Sequence, residues 1–176
     1  YSIVTNIDKE HLDFYKNFNN LIKAFIIFIE KTPPIGKTFL CIDDSNIAKI
    51  LRKLKTKNYF TYGFNKKANY QIYNPRYAIG YTKFDLKVKN IGPKNLHIKN
   101  ISLKLIGKYN VLNATASIAL CLNLGLKIKV IKNALKNFSG VQRRLTKVFV
   151  KNKVEFYDDY AHHPTEIKSV LEAVRK

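Results

Sequence analysis

The stretch KTFLCIDDSNIAKILRKLKTKNYFTYGF, Lys37 to Phe64, decides the fold. Its first part, KTFLCID, is a short, nearly continuous apolar run of strand length. SNIAKILRKL then places Ile47, Ile50, Leu51 and Leu54 on one helical face, with Asp44 or Ser45 as N-cap. NYFTYGF closes the stretch as a second strand. Strand, helix and strand in this order are the unit of a parallel sheet, because parallel strands need a crossover and a helix supplies it.

The pattern extends upstream. SIVTNI is a short strand, and HLDFYKNFNNLIKAFIIFIEKT sets Leu21, Ile22, Phe25, Phe28 and Ile29 at helical spacing before Pro33, Pro34 and Gly36 break the chain. Downstream the texture changes. From Asn69 to Leu105 the pieces NYQIYN, YAIGYTKFDLKVKN and LHIKNISLKL, punctuated by Asn, Pro and Gly, predict an antiparallel patch appended to the parallel sheet. Val111–Asn123 reads as an apolar helix with Asn110 as cap and Gly125 as stop, and KVIKNALKNF as another. After Ser139 and Gly140 a strand-led unit begins with VQRRLTKVFV and KVEFYDDY. It stops after one helix, TEIKSVLEAVRK, whose buried face should be Ile167, Val170, Leu171 and Val174. The expected fold is therefore α/β, a mostly parallel sheet with crossover helices and a small antiparallel patch, with a domain boundary near Gly140. One strand and one helix cannot make a domain, so the chain is expected to be truncated at both ends, as its lack of any Met also suggests.

Composition bounds the function. The chain has 176 residues, 46% of them hydrophobic, which suits a folded core. No apolar run approaches the ~20 residues of a membrane span, and the N-terminus has no signal layout. Cys41 and Cys121 lie far apart inside apolar runs, without metal-ligand spacing, and read as the buried reduced thiols of a cytoplasmic protein. A net charge of +20 points towards nucleic acid. Yet the basic residues are mostly Lys, spread from Lys9 to Lys176 and interleaved with Asn, Ile, Phe and Tyr, which fits solvated faces or a phosphate-rich small substrate equally well. The triplet GKT at Gly36–Thr38 is not a phosphate-binding loop: G-x-x-x-x-G-K-[ST] requires glycine where Lys31 stands and a helix where TFLCID reads as strand.

Four constellations carry chemistry: TNIDKEHLDFY (Thr5–Tyr15), GKYNVLNATASIAL (Gly107–Leu120), GVQRRL (Gly140–Leu145) and DDYAHHPTE (Asp158–Glu166). Asn110 and Asn113, three apart, share one face at a helix start; their amides both donate and accept, as an adenine edge demands, and capping is their structural alternative. An arginine such as Arg144 suits phosphate contact, being always charged and planar. Adjacent histidines before Pro164 can form a helix N-terminal turn.

In order and wording these four motifs resemble the Mur ligases of peptidoglycan synthesis, over nearly the whole chain. The resemblance implies that residues 1–140 are most of the central ATP-binding domain, its P-loop lying upstream, and that 141–176 are the first strand and helix of a Rossmann-like C-terminal domain. It implies an ATP- and Mg2+-dependent ligase that phosphorylates the lactyl carboxylate of UDP-N-acetylmuramate and lets the amine of L-alanine displace phosphate. This span alone, lacking the P-loop and a metal-binding glutamate, should be inactive. His11 is similar to the family histidine that ligates magnesium, with a ligand-free helix-start histidine as its alternative, and Asp13 reads as a helix-start charge. Asn110 and Asn113 match the adenine-binding asparagines, although the family usually has His where this chain has Tyr109. Arg144 matches the arginine that reaches ATP, with Arg143 its solvated neighbour. Asp159 matches the acid that binds the ATP ribose, at the C-terminal end of a parallel strand, while Asp158 orients the turn. Tyr160, His162 and His163 are placed near the alanine end of the substrate. The related ligase that attaches a recycled peptide to the same nucleotide sugar, a basic nucleic-acid-binding module and a catalytically dead fragment are the alternatives.

Overall fold

A computed structural model describes residues 1–78, 80–91 and 95–175; Ile79, inside the predicted piece YAIGYTKF, and Lys176, at the end of the predicted last helix, lie outside the described residues. β1 (Ser2–Val4), α1 (Leu12–Tyr15), α2 (Phe18–Glu30), β2 (Thr38–Cys41), α3 (Ser45–Ile50) and β3 (Tyr59–Gly63) alternate as the opening stretch requires. β1, β2 and β3 pair in parallel in that order. Every residue of β2 is buried, which is why it reads as a continuous apolar run rather than an alternating one. Asp44 is the cap of α3, its carboxylate accepting from Ile47 N at 2.8 Å. Thr38 closes the GKT triplet with its hydroxyl only 2.8 Å from Ser2 Oγ and 2.9 Å from Thr32 Oγ1, so it is spent on the core and not on a phosphate.

The helix read from His11 onward is broken. Lys16 turns with φ 68, and Asn17 caps a fresh start by accepting from Asn20 N. Leu21 and Ile29 of α2 are buried, whereas Phe28, predicted on the same face, is half exposed.

β4 (Tyr70–Ala78) joins β3 in parallel over Tyr62↔Tyr70 and Gly63↔Gln71, and β5 (Tyr81–Val88) and β6 (Leu96–Leu103) follow antiparallel. The result is one six-stranded sheet ordered β1-β2-β3-β4-β5-β6. Register shifts at Tyr73/Arg76 and Phe84/Leu86 bulge the antiparallel strands, and Asp85, 4% exposed, clamps them by accepting from Asn100 N (2.8 Å), Asn74 Nδ2 (3.3 Å) and Arg76 Nη2 (3.1 Å).

α4 (Lys108–Asn123) buries Val111, Ala114, Thr115, Ala116, Ile118 and Ala119 and packs on β2 and β3, while α5 (Ile128–Asn137) lies against β6. Gly125 ends α4 with φ 81, as read. The predicted cap does not hold: α4 starts at Gly107, not Asn110. Gly107 adopts φ 96, and a Cβ there would sit 2.8 Å from the Cβ of Ala173, so only glycine lets the last helix approach. Asn110, inside the first turn, donates back to Ile106 O at 2.8 Å.

After Gly140 the strand-led start is a hairpin: β7 (Thr146–Lys151) and β8 (Val154–Asp158) pair antiparallel as a separate two-stranded sheet, turning through Asn152 and Lys153 at positive φ. α6 (Pro164–Val174) completes the chain. Its predicted buried face is not buried. Ile167, Leu171 and Val174 are exposed and Val170 is half-buried, whereas Ala173, on Gly107, is the covered residue. Helical periodicity located the apolar stripe but says nothing of what lies over it, and no described element covers it.

Candidate functional site

A cavity of about 800 Å³ gathers Thr5 and Asn6 just past the carboxyl end of β1, Tyr109, Asn110 and Asn113 from the start of α4, Arg144 and Asp159 from the segments flanking the hairpin, and Thr165 and Glu166 from α6. The space beyond the carboxyl ends of parallel strands is where open α/β sheets take ligands. A second hollow of about 440 Å³ between β6 and α5 is lined by Lys129, Lys132 and Lys136 and by none of the predicted site residues.

The cavity's C-terminal wall rests on a strained turn. Arg143 and Leu145 sit at φ 58 and 50, a left-handed conformation that costs a residue bearing a Cβ ~1–2 kcal/mol. Asp159 holds that turn: its Oδ2 accepts from Leu145 N at 2.7 Å and its Oδ1 from Ala161 N at 2.7 Å, while Tyr160 N donates to Arg143 O at 2.8 Å. The acid expected to bind a ribose is thus also the staple that fixes the segment bearing Arg144. It stands past the end of β8, which pairs antiparallel with β7, so the expectation of a parallel strand beneath it is corrected. A strand's partner is not visible in its own residues.

The two arginines separate by contact. Arg144 faces the cavity, its guanidinium 3.6 Å from Glu166 Oε1 and half exposed. Arg143 instead lies over the Tyr160 ring, 4.9 Å from its centre, and 3.6 Å from Asp158. Asn110 and Asn113 share the cavity wall as their spacing requires. Asn110 spends its NH2 on Ile106 O and keeps its carbonyl; the Asn113 side chain is exposed and engages no described partner.

Other predicted residues do not join them. Tyr160, His162 and His163 are outside the cavity lining. Tyr160 is exposed beneath Arg143, and His162, with its ring against Tyr160, is the most exposed of the three. His163 caps α6, its Nδ1 taking Thr165 N at 3.4 Å, and lies 3.7 Å from both Asp8 and Glu10. That is the helix-turn role of the histidine pair. Asp8 is held below the usual carboxylate range, chiefly by a hydrogen bond from Thr165, which outweighs the opposing effect of burial. His11 is exposed in the left-handed region at φ 56, and its imidazole engages no partner among the described residues. Among those residues no three His, Cys, Asp or Glu side chains converge as a metal site.

Sequence reasoning missed Asp8, Thr165, Glu166 and the contact of Tyr109. Only Glu166 left a signal: it stands three residues after the cap His163, the spacing of a capping box, and accepts weakly from His162 N at 3.4 Å.

The Mur ligase middle domain matches residues 1–121 of this chain. The UDP-N-acetylmuramate–L-alanine ligase of Pelagibacter ubique is 51% identical over 175 residues, 99% of this chain and 38% of that protein. The crystal structure of the UDP-N-acetylmuramate-alanine ligase MurC from Thermotoga maritima, 28% identical, superposes with a TM-score of 0.76 over 98% of this chain and 37% of that one. MurF from Acinetobacter baumannii, at 22% identity and a TM-score of 0.80 over 98% of this chain and 36% of that one, shares the fold. The chain spans well under half the length of these relatives.

Proposed function

Since the chain belongs to the Mur ligase family through its middle domain, we propose that the intact protein is an ATP-dependent ligase joining L-alanine to UDP-N-acetylmuramate in peptidoglycan precursor synthesis. The observation that carries this reading is the meeting of Asn110, Asn113, Arg144 and Asp159, from opposite ends of the chain's second half, in one cavity beside β1. In the proposed reaction the γ-phosphoryl group of ATP passes to the lactyl carboxylate, releasing ADP. The alanine amine then attacks the acyl phosphate, its C–O bond to phosphate breaks, and the amide and inorganic phosphate leave.

The lining fits a nucleotide. The free carbonyl of Asn110 and the free amide of Asn113 can read a base edge. The half-exposed guanidinium of Arg144 can take a phosphate in exchange for its long contact to Glu166. Asp159 uses two of its roughly four lone-pair positions on backbone and keeps the others for ribose hydroxyls. We assign residues 1–140 to the central domain and 141–176 to the beginning of the C-terminal one, so that the nucleotide is shared between them, and expect this span alone to be inactive. Magnesium is a different matter: the described residues do not by themselves build a site for it. His11 is proposed as one imidazole ligand, to be joined by the metal-binding glutamate that the family resemblance places upstream of this span.

Two substitutions test these roles in the intact enzyme. His11→Ala should cut turnover at limiting magnesium by ~10- to 100-fold with little change in melting temperature; normal turnover at limiting magnesium would make His11 a structural residue. Asp159→Asn retains one acceptor oxygen for two backbone donors, so it should both weaken ATP about tenfold in a calorimetric titration and lower stability by ~1–2 kcal/mol. Unchanged ATP affinity in that titration removes Asp159 from the site. The activity itself is tested by phosphate release from ATP with UDP-N-acetylmuramate and either L-alanine or a tripeptide. Release with L-alanine is expected; release only with the peptide assigns the recycling reaction instead.

A further inference from the structure

Among the described residues, Tyr109 carries the one buried side-chain polar atom of this cavity that has no hydrogen-bond partner. Its hydroxyl is buried and has no hydrogen-bond partner among the described residues. The Asn110 NH2, one of whose hydrogens goes to Ile106 O at 2.8 Å, can only donate towards the phenol oxygen, so the phenolic proton is left without an acceptor. A buried hydroxyl without a partner costs ~1–3 kcal/mol, so its persistence calls for a state in which it is satisfied.

Its surroundings name the partner. The ring lies in the crevice at Gly107, where a Cβ would meet Tyr109 Cε1 at 2.9 Å and Ala173 Cβ at 2.8 Å, so Tyr109 sits where the start of α4 touches α6. Tyr109, Arg144 and Asp159 line the same cavity, and their charges act on the phenol: burial and then the Asp159 carboxylate raise its pKa, while Asn110 and then Arg144 act against them. Arg144 is a donor only and cannot receive the phenolic proton. Asp159 accepts from Leu145 N and Ala161 N and has acceptor capacity to spare.

We infer that Tyr109 is a positioning residue: once nucleotide is bound, its hydroxyl donates to the Asp159 carboxylate across the contact of α4 with α6, holding that acid against the ribose. This rests on the nucleotide reading of the cavity. A movement of α6 and the Asp159 segment towards α4, small enough to keep Ala173 on Gly107, closes the bond. The cost of the unmet hydroxyl then falls on the empty state alone and favours the bound one.

The test is calorimetric titration of the intact protein with ATP, read beside the melting temperature of the ligand-free protein. Tyr109→Phe keeps the ring and removes only the hydroxyl. It should bind ATP about 5- to 10-fold more weakly while melting at the same or a higher temperature. In an Asp159→Asn background the same change should cost less than about twofold more, since the partner is already altered. Tyr109→His, which keeps a ring donor, should recover most of the loss. Wild-type binding with an unaffected Tyr109→Phe variant, or full additivity of the two substitutions, overturns the inference. Absence of ATP binding by the wild type instead overturns the nucleotide reading itself, and is seen before any variant is measured.

Discussion

Arg144→Ala in the intact protein is expected to lower kcat/KM for the proposed ligase reaction by about 100-fold or more, while its melting temperature stays within about 2 °C of wild type. The reason is the difference between what Arg144 does in the empty protein and what it faces in the cavity. Its one described ion pair, to Glu166, is 3.6 Å long with the guanidinium half exposed, a contact of the kind that contributes ~0–1 kcal/mol. Its backbone, by contrast, sits between two left-handed residues stapled by Asp159, so the guanidinium is held by a rigid segment at the edge of the cavity. A preorganised cation acting on phosphate in a partly enclosed site is worth ~2.7–4 kcal/mol of transition-state stabilisation, which sets the expected loss. Arg143→Ala is the control. It removes a stacking contact on Tyr160 outside the cavity and should change kcat/KM by less than about threefold. Equal losses from the two arginines in steady-state kinetics would count against the assignment.

Asp85→Ala is expected to destabilise the fold by ~3 kcal/mol, with no direct effect on the cavity. Asp85 is 4% exposed and receives three hydrogen bonds, from the Asn100 backbone, the Asn74 amide and the Arg76 guanidinium, across two bulged strands. Truncation leaves the Asn100 N–H unpaired beside Asn100's own left-handed backbone. Burial pushes the Asp85 carboxyl up, but the hydrogen bonds and the Arg76 charge outweigh it and hold it below its ordinary range. A depressed folded value means that this stabilisation is complete above the unfolded value near ~4 and disappears as pH falls through the folded one. Urea unfolding at pH 7 and pH 3 should therefore show a wild-type protein losing stability in acid and an Asp85→Asn variant losing less. A wild type and variant with parallel acid dependence would show that Asp85 is not the group responsible.

Much of the sheet was legible because its signals are local. Phe39 to Ile42 is an unbroken apolar run, as a strand covered on both faces requires, Asp44 caps where its type and place predict, and Gly125 stops α4 in the conformation glycine favours. What the residues could not reveal depends on partners distant in the chain. The start of α4 was read as Asn110 because asparagine is a good cap; the true start, Gly107, is dictated by Ala173, 66 positions later. The α6 stripe of Ile167, Leu171 and Val174 is apolar at helical period, yet exposed among the described residues. At the site, the spacing of Asn110 and Asn113 was sufficient to put them on one wall, and the RR pair, told apart in the sequence only by the resemblance, differs in contact, since Arg143 has Tyr160 beneath it and Arg144 has the cavity. The stapling role of Asp159 had no trace in the sequence, because its backbone donors are created by a strained turn that only the folded chain shows.

A crystal structure of the intact protein with ADP decides whether the cavity between the start of α4, the Arg144 turn and α6 holds the nucleotide. The base edge is expected within hydrogen-bonding distance of Asn110 and Asn113, the ribose hydroxyls on Asp159 and the phosphates towards Arg144. ADP ordered elsewhere on the protein, with this cavity filled only by water, would contradict it.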